Sequence, residues 1–91
     1  MSQHADTFEI VNRLGMHARA ATKLVEMASR FEADVQIEKD GHKANAKSVM
    51  GVLLLCGHKG SQVTVSADGP DAPNVVEAIG TLIADRFGEP D

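Results

Sequence analysis

Asp40-Gly41 stands between two runs in which apolar and polar residues alternate. In Ala33–Glu38, Val35 and Ile37 point one way and Asp34, Gln36 and Glu38 the other, and His42–Ala46 supplies a returning strand. Asp-Gly accepts the left-handed backbone that a two-residue hairpin needs, so this stretch commits the chain to an adjacent pair of antiparallel strands.

The same period of two recurs elsewhere. Thr7–Asn12 carries Phe8 and Ile10 on one face, and Gln62–Ala67 turns Val63, Val65 and Ala67 inward before Gly69-Pro70 ends it. Between the strands the period changes. Ala21, Leu24, Val25, Ala28 and Phe31 recur at helical spacing from a start at His17. Ser48 is placed to cap a shorter helix through Cys56. Asp71 is placed to cap a last helix with Pro73 in its first turn, a buried stripe of Val76, Ile79, Leu82, Ile83 and Phe87, and Gly80 at a cost of about 1 kcal/mol. The order βαββαβα predicts an α+β, two-layer open-faced sandwich: a four-stranded antiparallel sheet with three helices over one face. The other face, with Glu9, Gln36, Glu38 and Thr64, is expected to be solvated.

The length of 91 residues fits a single domain, 1–91, with its core at about 7–88. A net charge of −4 with no Trp or Tyr argues against a nucleic-acid partner. No basic segment leads into an apolar run and no long apolar stretch is present, so a cytoplasmic protein without a membrane span is expected. Cys56 is the single cysteine, which excludes an internal disulfide; it reads as a small buried hydrophobe. Cys56 and His58 lack further ligands nearby, so no metal site is expected. His4 falls in what reads as a frayed terminus.

Charge is segregated along the chain. His17–Phe31 carries two more positive than negative charges, whereas Asp68–Asp91 sets six acidic residues against Arg86 alone. The end of the molecule bearing His17 should therefore be a basic pole that steers phosphate or an acidic partner.

The chemistry concentrates in NRLGMHARAA, Asn12–Ala21. A histidine at a helix start has an accessible ring nitrogen beside the unpaired N–H groups of the first turn, an arrangement suited to carrying a phosphoryl group. The backbone N–H groups of Ala18 and Arg19 can stabilise the phosphate, and the Arg19 guanidinium adds charge-assisted hydrogen bonds. Gly15 either shapes the preceding turn to present the ring or is simply a turn glycine, and Asn12 reads as an ordinary polar residue at a strand end. The stretch 15–23 offers no carboxylate, which disfavours a hydrolase or nuclease. The helix after Ser48 is too apolar around its circumference to bury every side, so part of it should face outward as a docking surface.

NRLGMHARAA together with AKSVMGVLLL, Ala46–Leu55, resembles the HPr family of histidine phosphocarriers in the bacterial phosphoenolpyruvate:sugar phosphotransferase system, its nitrogen-regulatory paralogue included. The resemblance implies the same architecture. It also implies that His17 accepts a phosphoryl group on Nδ1 from phosphorylated enzyme I and gives it to an EIIA-type protein, with Arg19 on the phosphate. It further implies a carrier without its own catalytic pocket or cofactor, magnesium being used by enzyme I; an exposed transfer site favours a monomer. Docking is implied for Val49, Met50 and Leu53, and Ser48 matches the serine that an HPr kinase/phosphorylase modifies in some members, although it reads equally as a plain helix cap. Ala20 departs from the proline usual after the arginine, and Glu26 and Ser29 replace frequent lysines. The competing reading is a non-catalytic adaptor of the same fold that signals by binding alone.

Overall fold

The computed structural model describes residues 3–55 and 57–91. Its elements are β1 (Gln3–Glu9), α1 (Ala18–Ala28), β2 (Asp34–Lys39), β3 (His42–Asn45), α2 (Val49–Leu54), β4 (Gln62–Asp68) and α3 (Ala72–Ala84), followed by a 3-10 turn at Arg86–Gly88. The strands form one antiparallel sheet in the order β1-β4-β2-β3. The expected architecture is therefore the observed one, and Asp40 and Gly41 take φ of 53° and 80° in the hairpin turn. The reading of Cys56 lies outside the described residues.

The register explains the layering. Val35 lies opposite Ala67 and Ile37 opposite Val65, so these four share the face that the helices cover, and all four are buried. Leu24 of α1, Val52 of α2 and Ile79 and Ile83 of α3 complete the same core. Each such aliphatic side chain contributes roughly 1.5–3 kcal/mol by leaving water.

Several boundaries differ from those the periodicity predicts. β1 begins at Gln3 rather than Thr7, because its partner β4 runs far enough to pair Gln3 with Asp68 and His4 with Ala67. His4 is thus a strand residue, not part of a frayed end. Ile10 continues the association beyond the strand, donating to Ser61 O at 2.8 Å and accepting from Gly60 N at 2.8 Å. α1 stops at Ala28, and Arg30 and Phe31 close it with tighter bonds to Met27 O and Ala28 O, each 3.2 Å.

Asp71 precedes α3 but its side chain does not cap that helix. Its two carboxylate oxygens instead accept from Glu32 N and Ala33 N, both at 2.9 Å, pinning the α1–β2 connection to the start of α3. The Glu32 N–H is the foremost reason that the carboxyl is held below its ordinary value; partial burial opposes it and the Ala33 N–H assists. Phe87 is fully buried as expected, but from the 3-10 turn rather than from the helix stripe. Gly80 has a packing reason: a Cβ there would lie 2.4 Å from Cε1 of Phe8, whose ring occupies the notch.

Candidate functional site

The site begins with a loop that only glycine can complete. Gly15 takes φ of 68°, and a Cβ on it would stand 2.6 Å from Gly57 O and 2.8 Å from His58 Cα. Gly15 N donates to Asn12 O at 3.1 Å and Met16 N to Gly57 O at 2.8 Å, so the loop is clamped to the chain leaving α2. Of the two readings of Gly15, the shaping one is correct. Asn12, far from being an ordinary strand-end residue, is fully buried. Its Nδ2 donates to Gly15 O at 2.8 Å and to Glu89 Oε1 at 2.9 Å.

His17 follows as the N-cap of α1, with extended backbone at φ −86° and ψ 178°. Its carbonyl accepts from Ala21 N at 2.8 Å. Its Nδ1 accepts from Arg19 N at 3.3 Å, so the imidazole itself caps the helix. Its Nε2 is hydrogen-bonded to Glu89 Oε2. An N–H donor facing Nδ1 and a carboxylate facing Nε2 assign the proton to Nε2 and leave the lone pair on Nδ1. The His17 side chain is 28% exposed and that of Glu89 12%.

Glu89 is the residue at this site that the sequence did not announce. Burial pushes its carboxyl up, but hydrogen bonds from Asn12 and His17 and the charges of His17 and Lys23 outweigh it and hold the group below the usual carboxylate value. The His17 end is consequently not a simple basic pole. Glu89 reaches His17, and Asp91 pairs with Arg13 at 3.3 Å, so the acidic end of the sequence folds back onto it. The absence of a carboxylate from 15–23 does not describe the folded site, which takes one from 72 residues away.

Arg19 is exposed on the first turn of α1, and among the described residues it joins no ion pair. Ala18 is exposed beside it, while Ala20 is fully buried against the core. Ser48 caps α2, its Oγ accepting from Gly51 N at 3.2 Å. The outward face of α2 is not quite the expected one. Met50 and Leu54, four residues apart, are 68% and 75% exposed, and Leu14 is 61% exposed. Val49 and Leu53 form the neighbouring row and are half-buried against the core, because Val52 fixes the inward direction of the helix. Leu54 and Leu14 were not singled out in the sequence; the i, i+4 spacing of Leu54 from Met50 was the available signal. Ser61 Oγ accepts from His58 N at 3.1 Å and lies 3.2 Å from its Nδ1, while His42 stands in β3. Among the described residues no group of three or more His, Cys, Asp or Glu side chains is placed to hold a metal ion, and no helix is long and apolar enough to cross a membrane.

A partly exposed, helix-capping histidine on an open-faced sandwich has the chemistry to carry a group between partners. The comparisons agree. Residues 5–85 match the family model described as the PTS HPr component phosphorylation site. The chain is 46% identical over 80 residues to the phosphocarrier protein HPr of Cupriavidus necator, covering 88% of this chain and 90% of that one. HPr-C-His from Thermoanaerobacter tengcongensis has a similar structure, with a TM-score of 0.91 and 42% identity over 94% of this chain and 97% of that one. Crh, the catabolite-repression protein of Bacillus subtilis described as a dimer with a swapped domain, gives a TM-score of 0.74 and 39% identity over 81% and 85% of the two chains. The chain belongs to the HPr family. It is a phosphocarrier of the phosphotransferase system and not a catalytic enzyme.

Proposed function

We propose that His17 accepts a phosphoryl group on Nδ1 from phosphorylated enzyme I and passes it to an EIIA-type acceptor. The observation that carries this reading is the orientation of Nδ1, whose lone pair meets the Arg19 N–H at the head of α1. Phosphoryl transfer asks mainly for positioning and charge stabilisation. On transfer the Arg19 N–H would pass from Nδ1 to a phosphoryl oxygen, with the Ala18 N–H beside it, and the exposed Arg19 guanidinium would close over the group.

Docking falls to Met50 and Leu54, with Val49 and Leu53 at the margin and the exposed Leu14 in the histidine loop. Their exposed apolar surface supports a protein partner. Ser48 would be the target of an HPr kinase/phosphorylase where one exists, and phosphate there would add about −1.5 to −2 charge beside the docking face. The role asks for one domain, no resident cofactor and no nucleic acid, with magnesium serving enzyme I. It suits a cytoplasmic monomer, since the open site needs nothing from a second copy.

The test is incubation with phosphoenolpyruvate, magnesium and a cognate enzyme I, followed by intact-mass analysis at neutral pH. One acid-labile phosphoryl adduct, lost in His17→Ala, is the expected result. No adduct with an active enzyme I would overturn the reading in favour of an adaptor that signals by binding.

A further inference from the structure

Residues 86–91 bend back over the start of α1, and the bend is restrained at many points. Arg86, Phe87 and Gly88 take φ of 57°, 54° and 77°, a left-handed run that L-residues hold only where surrounding structure compels it. The Phe87 side chain is fully buried, and Lys23 Nζ donates to Phe87 O at 2.6 Å. Arg13 N donates to Asp91 O at 3.0 Å, and the Arg13 guanidinium pairs with the Asp91 carboxylate. What this restraint delivers is one carboxylate, with Oε1 on Asn12 Nδ2 and Oε2 on His17 Nε2.

We propose that Glu89 is a positioning residue for phosphoryl transfer: its carboxylate holds the proton on Nε2 of His17, keeps the lone pair on Nδ1 at the head of α1, and serves as counterion to the ring. The proposal rests on the reading of His17 as the acceptor. When the Nδ1 lone pair forms its bond to phosphorus, the bond from phosphorus to the donor breaks and the donor keeps that electron pair. The Nε2 proton stays in place, so the ring becomes a phosphorylated imidazolium whose positive charge lies against the Glu89 carboxylate. On delivery the Nδ1–phosphorus bond breaks, the ring recovers its pair, and the starting tautomer is restored without any proton exchange with solvent.

Two features favour this over simple packing. The carboxylate is ionised by the surroundings already described, which include Lys23 as well as His17 and Asn12. Asn12 is committed to it as well: one buried amide group holds both the loop that presents the histidine and the carboxylate that orients it. Glu89 lies beyond residues 5–85, the span that matches the family model.

The test combines nitrogen-15 NMR of the His17 ring with steady-state transfer from phosphorylated enzyme I. Wild type is expected to show the Nε2–H tautomer. In Glu89→Gln the amide cannot accept from both Asn12 and His17, so the ring should move toward a tautomer mixture and kcat should fall about tenfold with KM for enzyme I unchanged, as for a lost charge-assisted hydrogen bond. Glu89→Asp, with the charge on a shorter arm, should keep the wild-type tautomer and an intermediate kcat. A wild-type tautomer in Glu89→Gln overturns the proposal, whether or not kcat changes, since a fall in rate alone would then be structural. If wild type takes no phosphoryl group the carrier reading fails instead, and the ring signals, which need no partner, still decide whether Glu89 positions His17.

Discussion

Asn12 and Glu89 stand 77 residues apart in sequence and 2.9 Å apart in space. Removing the amide in Asn12→Ala deletes both hydrogen bonds that join the histidine loop to the carboxylate, and stability should fall by about 1–3 kcal/mol, read from the urea midpoint. Gly15→Ala should cost more, at least about 2 kcal/mol, because it adds a left-handed strain to a collision with backbone that cannot swing aside. These two residues show where a sequence stops speaking. His17, Arg19 and Gly15 are legible together because their relation is local, a turn and a helix start within five positions. The part played by Asn12 depends on a partner that arrives from the far end of the chain. Glu89 lies in an acidic stretch that reads as solvated, and no periodicity marks it. The closest signal is Phe87-Gly88, a large apolar residue before a glycine, which can anchor and reverse a chain but does not say onto what.

Elements were legible wherever their own pattern decides their fate. β2, β3 and their turn follow from alternation and Asp-Gly, whereas the start of β1 is set by the length of β4 and so lay beyond what Thr7–Asn12 could tell. For α2 the excess of apolar residues was evident, but the direction of Val52 had to be seen before the outward row could be assigned to Met50 and Leu54. Met50→Glu and Leu54→Asp should therefore leave stability within about 0.5 kcal/mol of wild type, as exposed substitutions do, yet raise KM for enzyme I in the transfer assay. In α3, Gly80→Ala should gain helix propensity of about 1 kcal/mol and lose more by expelling the Phe8 ring, for a net loss of about 1 kcal/mol. A double-mutant cycle with Phe8→Ala checks the cause: Gly80→Ala should become stabilising once the ring is gone.

For the whole molecule, charge is redistributed by the fold rather than laid out as the sequence suggests. The 86–91 segment carries negative charge onto the face that the α1 sequence makes positive, so docking fields there are short-ranged and mixed. Three carboxyls, Asp40, Asp71 and Glu89, are held below their ordinary values. The folded chain therefore binds fewer protons than the unfolded one in the acid range. The stability they contribute is complete above about pH 5, where unfolded Asp and Glu are ionised, and is lost as pH falls through the lower folded values. Asp71→Asn should be less stable at neutral pH and show a flatter acid limb, measured as urea midpoints between about pH 3 and 6. The 28% exposure of the His17 side chain has a consequence of another kind. On the proposed reading, a ring open to two successive partners is open to water as well, so a phosphoryl group placed there is not sealed from hydrolysis. The loaded fraction of such a carrier records the current balance of supply and demand, and it fades within the lifetime of the bond once supply stops.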